Sequence, residues 1–507
     1  MKFALFLASA LSAFALDFPM SLAVAPDGHV LVLSGGAKAS ISVVNGAELP
    51  LPDAWLGLTF APNGKMLYAG GGSRGVVYEF TYAQGELKLV REMKAGDFAG
   101  DVAVSPDGHL VYAADLFGNT IVVINPQSGR IIDRFKTGRR PYRILFHPDG
   151  RSYFVSSWAD ASVYQYNTVN GEEIGRIRLG SHPTDMVLSN QVPASQEGAP
   201  DAKYRLFVAA ANTNEVFAVG IGENKTMNLL EAIHVAPAPL SPLGMTPSAL
   251  ALSSDQKHLY VACSDADTVA SVNVSDVRSV VEGFLPSGPA PASMQFFGNA
   301  ERFLRPVGAY PAAVRVSADR VWVANAHANT VETLGETFRP LASAPELNLA
   351  PAEHVIYVIR DTRPEALMHA IGGLAPDYTV KLGGRPNFDI ADPANLPPAG
   401  YLWTNARAAG LSVRNYGVFV RDGKAIDPAA RPFTKPDSSG FAEDLRLFDS
   451  SGMMPRLILV QIAGDEALAS LKSAVAKSRF AAKTEIVVED IRRVEALLSL
   501  HPMTRKD

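Results

Sequence analysis

Two sets of side chains in this 507-residue sequence have the types and spacing to do chemistry. The first is a recurring column: Ser21, Gly57, Asp101, Arg143, Asp185, Ala249 and Ala313. Each stands four residues before the Ser, Ala or His that opens a turn resembling Ser-Pro-Asp-Gly. Three successive members read acid, base, acid, and Arg140, Tyr142 and His182 fall just ahead of them. An arginine fork with such neighbours suits a clamp for a small anionic or polyol ligand. The same three charges also suffice to bridge neighbouring elements with no ligand at all.

The second set lies in the last third. Asp361, Asp465, Glu489 and Asp490 each close or follow a run of apolar residues: HVIYVIR (354–360), RLILVQI (456–462) and EIVVED (485–490). Continuous apolar runs read as strands buried on both faces, the pattern of a parallel sheet. Ligands of such sheets sit beyond the carboxyl ends of the strands, where these acids fall. Converging carboxylates there build a divalent metal site, with a metal-activated oxygen nucleophile for a phosphoester. Asp361 and Asp465 equally suit helix N-caps, each stabilising by about 1 kcal/mol without a metal.

The elements that position the first set form a repeat. The stretches VLSG (32–35), YAGG (68–71), YAAD (112–115), FVSS (154–157), FVAA (207–210), YVAC (260–263) and WVAN (322–325) are seven apolar strands of one type. Seven residues after each strand's start a second one opens, at Ala39, Gly75, Asn119, Ala161, Asn214, Asp267 and Asn329, as two antiparallel strands on a short turn require. Asp27, Asn63, Asp107, Asp149 and Asp255 precede the first strand by five residues, and four of them are followed by Gly, a positive-φ turn. Where an outer strand is legible, at 129–138 and 171–180, the unit has four strands over about 42 residues, the size of a propeller blade. The spacing stretches at 190–202, 222–247 and 277–308, which predicts loop excursions, and N-terminal strands are expected to complete the last blade. Residues 16–336 are thus predicted to be an all-β seven-bladed β-propeller. Residues 337–353 form a Pro- and Ala-rich linker, and 354–507 a smaller α/β domain with a mostly parallel sheet.

Residues 1–15, MKFALFLASALSAFA, have the charge, apolar run and Ala-x-Ala ending of a secretory signal peptide cut after Ala15. No later run reaches the roughly 18 apolar residues of a membrane helix. The expected location is therefore exported, periplasmic or secreted, and bacterial. A net charge of -5 excludes a general nucleic-acid binder. The single cysteine, Cys263, excludes an intrachain disulfide and any multi-thiolate centre.

The repeats resemble the YVTN-type propellers of bacterial exported proteins. HVIYVIRDTRP, GYLWTNARAAGLSVRNYGVFV (400–420), MPRLILVQIAGDE (454–466) and TEIVVED (484–490) resemble the phosphoesterase domain of the alkaline phosphatase superfamily, which follows such a propeller in a group of bacterial proteins. The resemblance implies a metal-dependent phosphoester hydrolase, and the sequence departs from that pattern. Asp361-Thr362-Arg363-Pro364 stands where the family carries Glu-Asn-Arg-Thr, and Gly464-Asp465-Glu466 where it carries Asn-Asp-His. Glu489-Asp490 runs straight into Ile491-Arg492-Arg493, without the family's later Asp-His pairs, and 372–400 is too short for the region around the reacting phosphate. Only His354, His369 and His501 lie in this domain, too few to complete a mixed Asp/His two-metal site. The leading expectation is an exported propeller that binds a small anionic or polar ligand or another envelope protein, with a degenerate, non-catalytic second domain. The groove between the domains is a second candidate surface. No cofactor is expected, save a divalent metal should the reduced site be occupied. Two other readings stay open: a metal-dependent phosphoesterase with a reduced site, and a lactonase-like propeller hydrolase.

Overall fold

The computed structural model describes residues 16–35, 38–193, 202–237, 243–286, 295–297, 302–304, 310–317, 320–334, 351–373, 375–382 and 392–499. The signal peptide expected at 1–15 and most of the linker lie outside them. Contacts divide the chain into two compact units. The second runs from Ala342 onward and includes Leu240–Gly244 and Ser293–Pro306.

The first unit is the expected seven-bladed β-propeller. Six four-stranded antiparallel meanders follow one another, beginning with Pro19–Val24, Val30–Ser34, Ser40–Val43 and Glu48–Pro50. A seventh, Pro311–Ser317, Arg320–Asn325 and Thr330–Thr333, has three strands among the described residues. Inner strands are apolar on both faces because each blade packs against two neighbours; Leu31, Leu33, Leu67 and Phe80, for instance, share one core between the first two blades. Gly28 and Gly64 hold φ of +89° and +66° in the tight turns between first and second strands, where a side chain would be strained. The outer strands of blades 2 to 6 are largely exposed, and each breaks register once against its neighbour. Such bulges blunt the edges that a ring of sheets otherwise offers to other chains.

Neighbouring blades are latched by the residues that open the third strands. The Oδ1 atoms of Asn119, Asn214, Asp267 and Asn329 accept from the backbone N–H of Arg140, Met245, Tyr310 and Phe18 at 2.9–3.0 Å. The last of these closes the ring, joined by Leu16, Leu22, Val30 and Val32 packing on Ala313 and Ala324. This differs from the expected closure: among the described residues no N-terminal strand pairs with Thr330–Thr333, and Pro19–Val24 is the inner strand of blade 1. The segments read as loop excursions also carry structure. Met227–His234 and Val280–Pro286 are outer strands, and Gln295–Phe297 pairs with Arg302–Leu304.

The second unit is built on a five-stranded sheet, all its pairs parallel, in the order Thr434–Lys435, Val413–Tyr416, Leu457–Gln461, His354–Ile359, Thr484–Val488. His354–Ile359 and Leu457–Gln461 are central, which explains their unbroken apolar sequence. Gly464–Ala476 and Phe441–Ser451 cover one core through Leu471, Val475, Phe441 and Leu445. Pro364–Gly372 and Ile491–Ser499 follow the carboxyl ends of two of the strands.

Candidate functional site

The column of the propeller lies three residues into each inner strand where that strand starts with Pro: Pro19, Pro141, Pro183, Pro247 and Pro311. The residue before each of these prolines, Phe18, Arg140, His182, Thr246 or Tyr310, has a positive φ of 49–58°. The Xaa-Pro pair, a repeat signal that the column reading passed over, marks where the chain turns down into each blade.

Asp101, Arg143 and Asp185 do meet. Arg143 Nη1 donates to Asp101 Oδ1 at 3.0 Å, and its Nε lies 3.0 Å from Asp185 Oδ1. Each carboxylate also accepts from the backbone of the next blade, Asp101 Oδ2 from Ile144 N–H at 2.8 Å and Asp185 Oδ2 from Leu250 N–H at 2.9 Å. The three charges therefore bridge blades 3 to 6. Burial pushes the Asp101 carboxyl up despite Arg143, while the two acids raise the Arg143 guanidinium against its own burial. A fourth member extends the network: Arg315 of blade 7 sets its Nη1 3.7 Å from Asp185 Oδ2. It stands two residues beyond Ala313, on the same face of its strand, and that alternation was the available signal.

Arg140 and His182 stay in the turns above. Arg140 lies 5.1 Å over the Phe117 ring, with its Nη1 3.4 Å from the Leu116 carbonyl, and the buried His182 has Asn212 at 3.4 Å. Tyr142 joins an aromatic group with Trp55, Trp158 and Phe98. All four rings are buried, and they link blade 2 to blade 4.

In the second unit two of the four acids, Asp465 and Glu489, meet beyond the carboxyl ends of the strands, but around a residue that sequence reading overlooked. Arg360 directs Nη1 to Asp465 Oδ1 and Nη2 to Glu489 Oε2, both at 3.2 Å. Glu489 Oε1 accepts from the backbone N–H of Arg360 and of Asp361 at 2.9 Å each. Glu489 holds this clamp from φ +51°, a strained backbone for a non-glycine residue. Asp361 pairs with Arg363 at 2.5 Å and accepts from its N–H just ahead of Pro364–Gly372, whose N-cap is Arg363 rather than Asp361. Asp465 is likewise inside the first turn of its helix, after the N-cap Ala463. Asp490 turns to Ile491–Ser499, its Oδ1 accepting from Arg493 N–H at 3.2 Å. Among the described residues no group of three or more His, Cys, Asp and Glu side chains is arranged to hold a metal. His354, bonded to the Pro455 carbonyl at 3.0 Å, starts its strand at the opposite end of the sheet. The donor set does not fit a two-metal centre: a guanidinium already stands between Asp465 and Glu489.

Fold and sites thus define a two-unit protein, a seven-bladed propeller with a blade-bridging ion network and a parallel α/β sheet with an arginine-centred acid cluster. Among solved structures, hydrazine synthase of Kuenenia stuttgartiensis is similar at a TM-score of 0.50 and 16% identity, over 66% of this chain and 100% of that one. Virginiamycin B lyase of Staphylococcus aureus gives 0.44 and 15% over 62% and 94%. A proposed 6-phosphogluconolactonase of Bacteroides fragilis gives 0.44 and 18% over 54% and 85%. At 16% identity the first of these likenesses speaks for the fold alone. No protein-family model and no curated protein matches the chain.

Proposed function

We propose that this chain is an exported propeller protein that acts by binding, and that its α/β unit is a phosphoesterase relative without catalytic function. The observation that carries the reading is Arg360. A metal-dependent phosphoester site needs cations free to polarise the phosphate and activate the nucleophile. Here the positive charge among Asp465 and Glu489 belongs to a side chain, which has no open coordination position. The four segments that resemble the alkaline phosphatase superfamily, and the missing histidines, support descent with loss. The leader-like residues 1–15 support export.

The test is an assay of the full chain with p-nitrophenyl phosphate in the presence of Mn²⁺ or Zn²⁺. No turnover above the buffer rate is expected. Turnover that disappears with chelator and again in Asp490→Ala or Asp465→Asn would establish the reduced-site phosphoesterase instead, with Asp361, Asp465, Glu489 and Asp490 as ligands. Export is tested by fractionating cells that express the full chain: a cytoplasmic, uncleaved product overturns it.

A further inference from the structure

The ion network in the propeller crosses the ring. Blades 5 and 7 are not neighbours, yet Arg315 of blade 7 reaches Asp185 of blade 5, passing the inner strand of blade 6, whose Leu250 carbonyl lies 3.4 Å from Arg315 Nη1. Side chains of non-adjacent blades meet only on the side of the inner strands that faces the central lumen. Arg143 and Arg315 both stand there, their side chains 18% and 23% exposed.

The four charges are unequally satisfied. Both carboxylates are turned into the blades. Asp101 accepts from Ile144 N–H, and Asp185 from Met186 and Leu250 N–H at 3.0 and 2.9 Å. Arg143 binds the two acids through Nη1 and Nε alone. Arg315 makes hydrogen bonds through Nη1 to the Val314 and Leu250 carbonyls, and its nearest carboxylate, Asp185, is at 3.7 Å. Among the described residues, these hydrogen bonds give no protein acceptor to Nη2 of either guanidinium or to Nε of Arg315. Burial and the neighbouring Arg143 lower the Arg315 pKa, and Asp185 and the more distant Asp101 do not fully offset them, whereas the same two acids raise Arg143 despite its burial. Arg315 is the under-compensated cation of the set. Two guanidiniums that share Asp185 on the lumen side of the inner strands offer fork-shaped donors of the kind that suits the edge of an oxyanion.

We infer that the lumen of the propeller binds a small oxyanion, of the phosphate or sulfate class, between Arg143 and Arg315. The inference rests on the binding role proposed above, and names the ligand chemistry and a residue, Arg315, for it. Arg143 doubles as a blade bridge, so Arg315 is the residue through which the site is best tested.

The experiment is calorimetric titration of the full chain with inorganic phosphate and with sulfate at constant ionic strength, chloride replacing the anion in the blank. Saturable binding of one anion per chain is expected. It should weaken at least tenfold in Arg315→Gln and fall less in Arg315→Lys, which keeps the charge without the fork. Arg130→Gln, on the outer strand Arg130–Lys136, should bind as the parent does. Circular dichroism and melting confirm that each variant is folded; should Arg315→Gln unfold, Arg315→Lys carries the comparison. No saturable heat in the parent, or equal affinity in the folded Arg315 variants, overturns the inference. Failure here leaves the phosphatase assay unchanged, because that assay reads the acids of the other unit.

Discussion

Glu489 and Asp465 both face Arg360, yet they are in different surroundings. The Asp465 side chain is 94% exposed and its pair is screened by water, so Asp465→Asn should change stability by less than about 0.5 kcal/mol. Glu489 is 34% exposed and also holds two backbone N–H groups, so Glu489→Gln should cost about 1–2 kcal/mol. Urea midpoints of the two variants check this; equal midpoints would mean that Arg360 is not anchored through Glu489. Cys263 offers a second contrast of surroundings. Its thiol is fully buried, and burial pushes its pKa up to about 12, so almost no thiolate exists near neutrality. A thiol reagent at pH 8 should label it only as fast as the propeller opens, and stoichiometric labelling of the native protein within seconds would contradict its placement.

Phe441–Ser451 is tied to the sheet by one buried carboxylate. Asp444 accepts from Tyr416 O–H at 2.7 Å and from Lys435 Nζ at 2.6 Å, which joins the helix to the strands Val413–Tyr416 and Thr434–Lys435. Burial alone would raise its pKa, but these two donors and Arg414 overcome it and hold the carboxyl below the usual range. A folded-state value below the unfolded one gives stability that is present above the unfolded pKa and is lost as pH falls through the folded value. Asp444→Asn should therefore cost about 2 kcal/mol at pH 7. The gap from the parent should close as pH falls through and below the usual carboxylate range. Denaturant melts of both proteins across that range check it, and a gap that widens toward acid would refute the assignment. Elements of this kind were legible where local pattern decides them. The Asp-Gly turns, the seven-residue offset and the apolar runs of the α/β sheet each follow from short-range rules. The bulged outer strands Met227–His234 and Val280–Pro286 were not, because an exposed strand loses the apolar alternation on which the reading relied. Arg360 was hidden for a related reason: it ends an apolar run and reads as the polar edge of a strand. Only the register of three parallel strands sets it between Asp465 and Glu489.

At the scale of the whole ring, stability depends on a seam that sequence separation makes unusual. Six of the seven blade contacts join consecutive segments of chain, whereas blades 7 and 1 are brought together by residues about three hundred positions apart, with Asn329 accepting from Phe18 N–H. The other latches, at Asn119, Asn214 and Asp267, have the same geometry and help fix how each blade meets the next, so opening one of them leaves the ring closed elsewhere. Opening the seam turns the ring into an arc and exposes the apolar faces of Leu22 and Val32 on one side and Ala313 and Ala324 on the other. Asn329 also adopts φ +54°, which costs Ala more than Asn or Gly, although Ala161 is held at φ +51° at the equivalent position of blade 4. Asn329→Gly should then lower the unfolding free energy by about 1 kcal/mol, the worth of one hydrogen bond, and Asn329→Ala by about 1 kcal/mol more for the strained backbone. Amide hydrogen exchange at Phe18 should accelerate in both variants while that at Tyr112, inside blade 3, follows only the global change. If Phe18 and Tyr112 accelerate equally, the seam has no independent opening and the ring unfolds as one cooperative body.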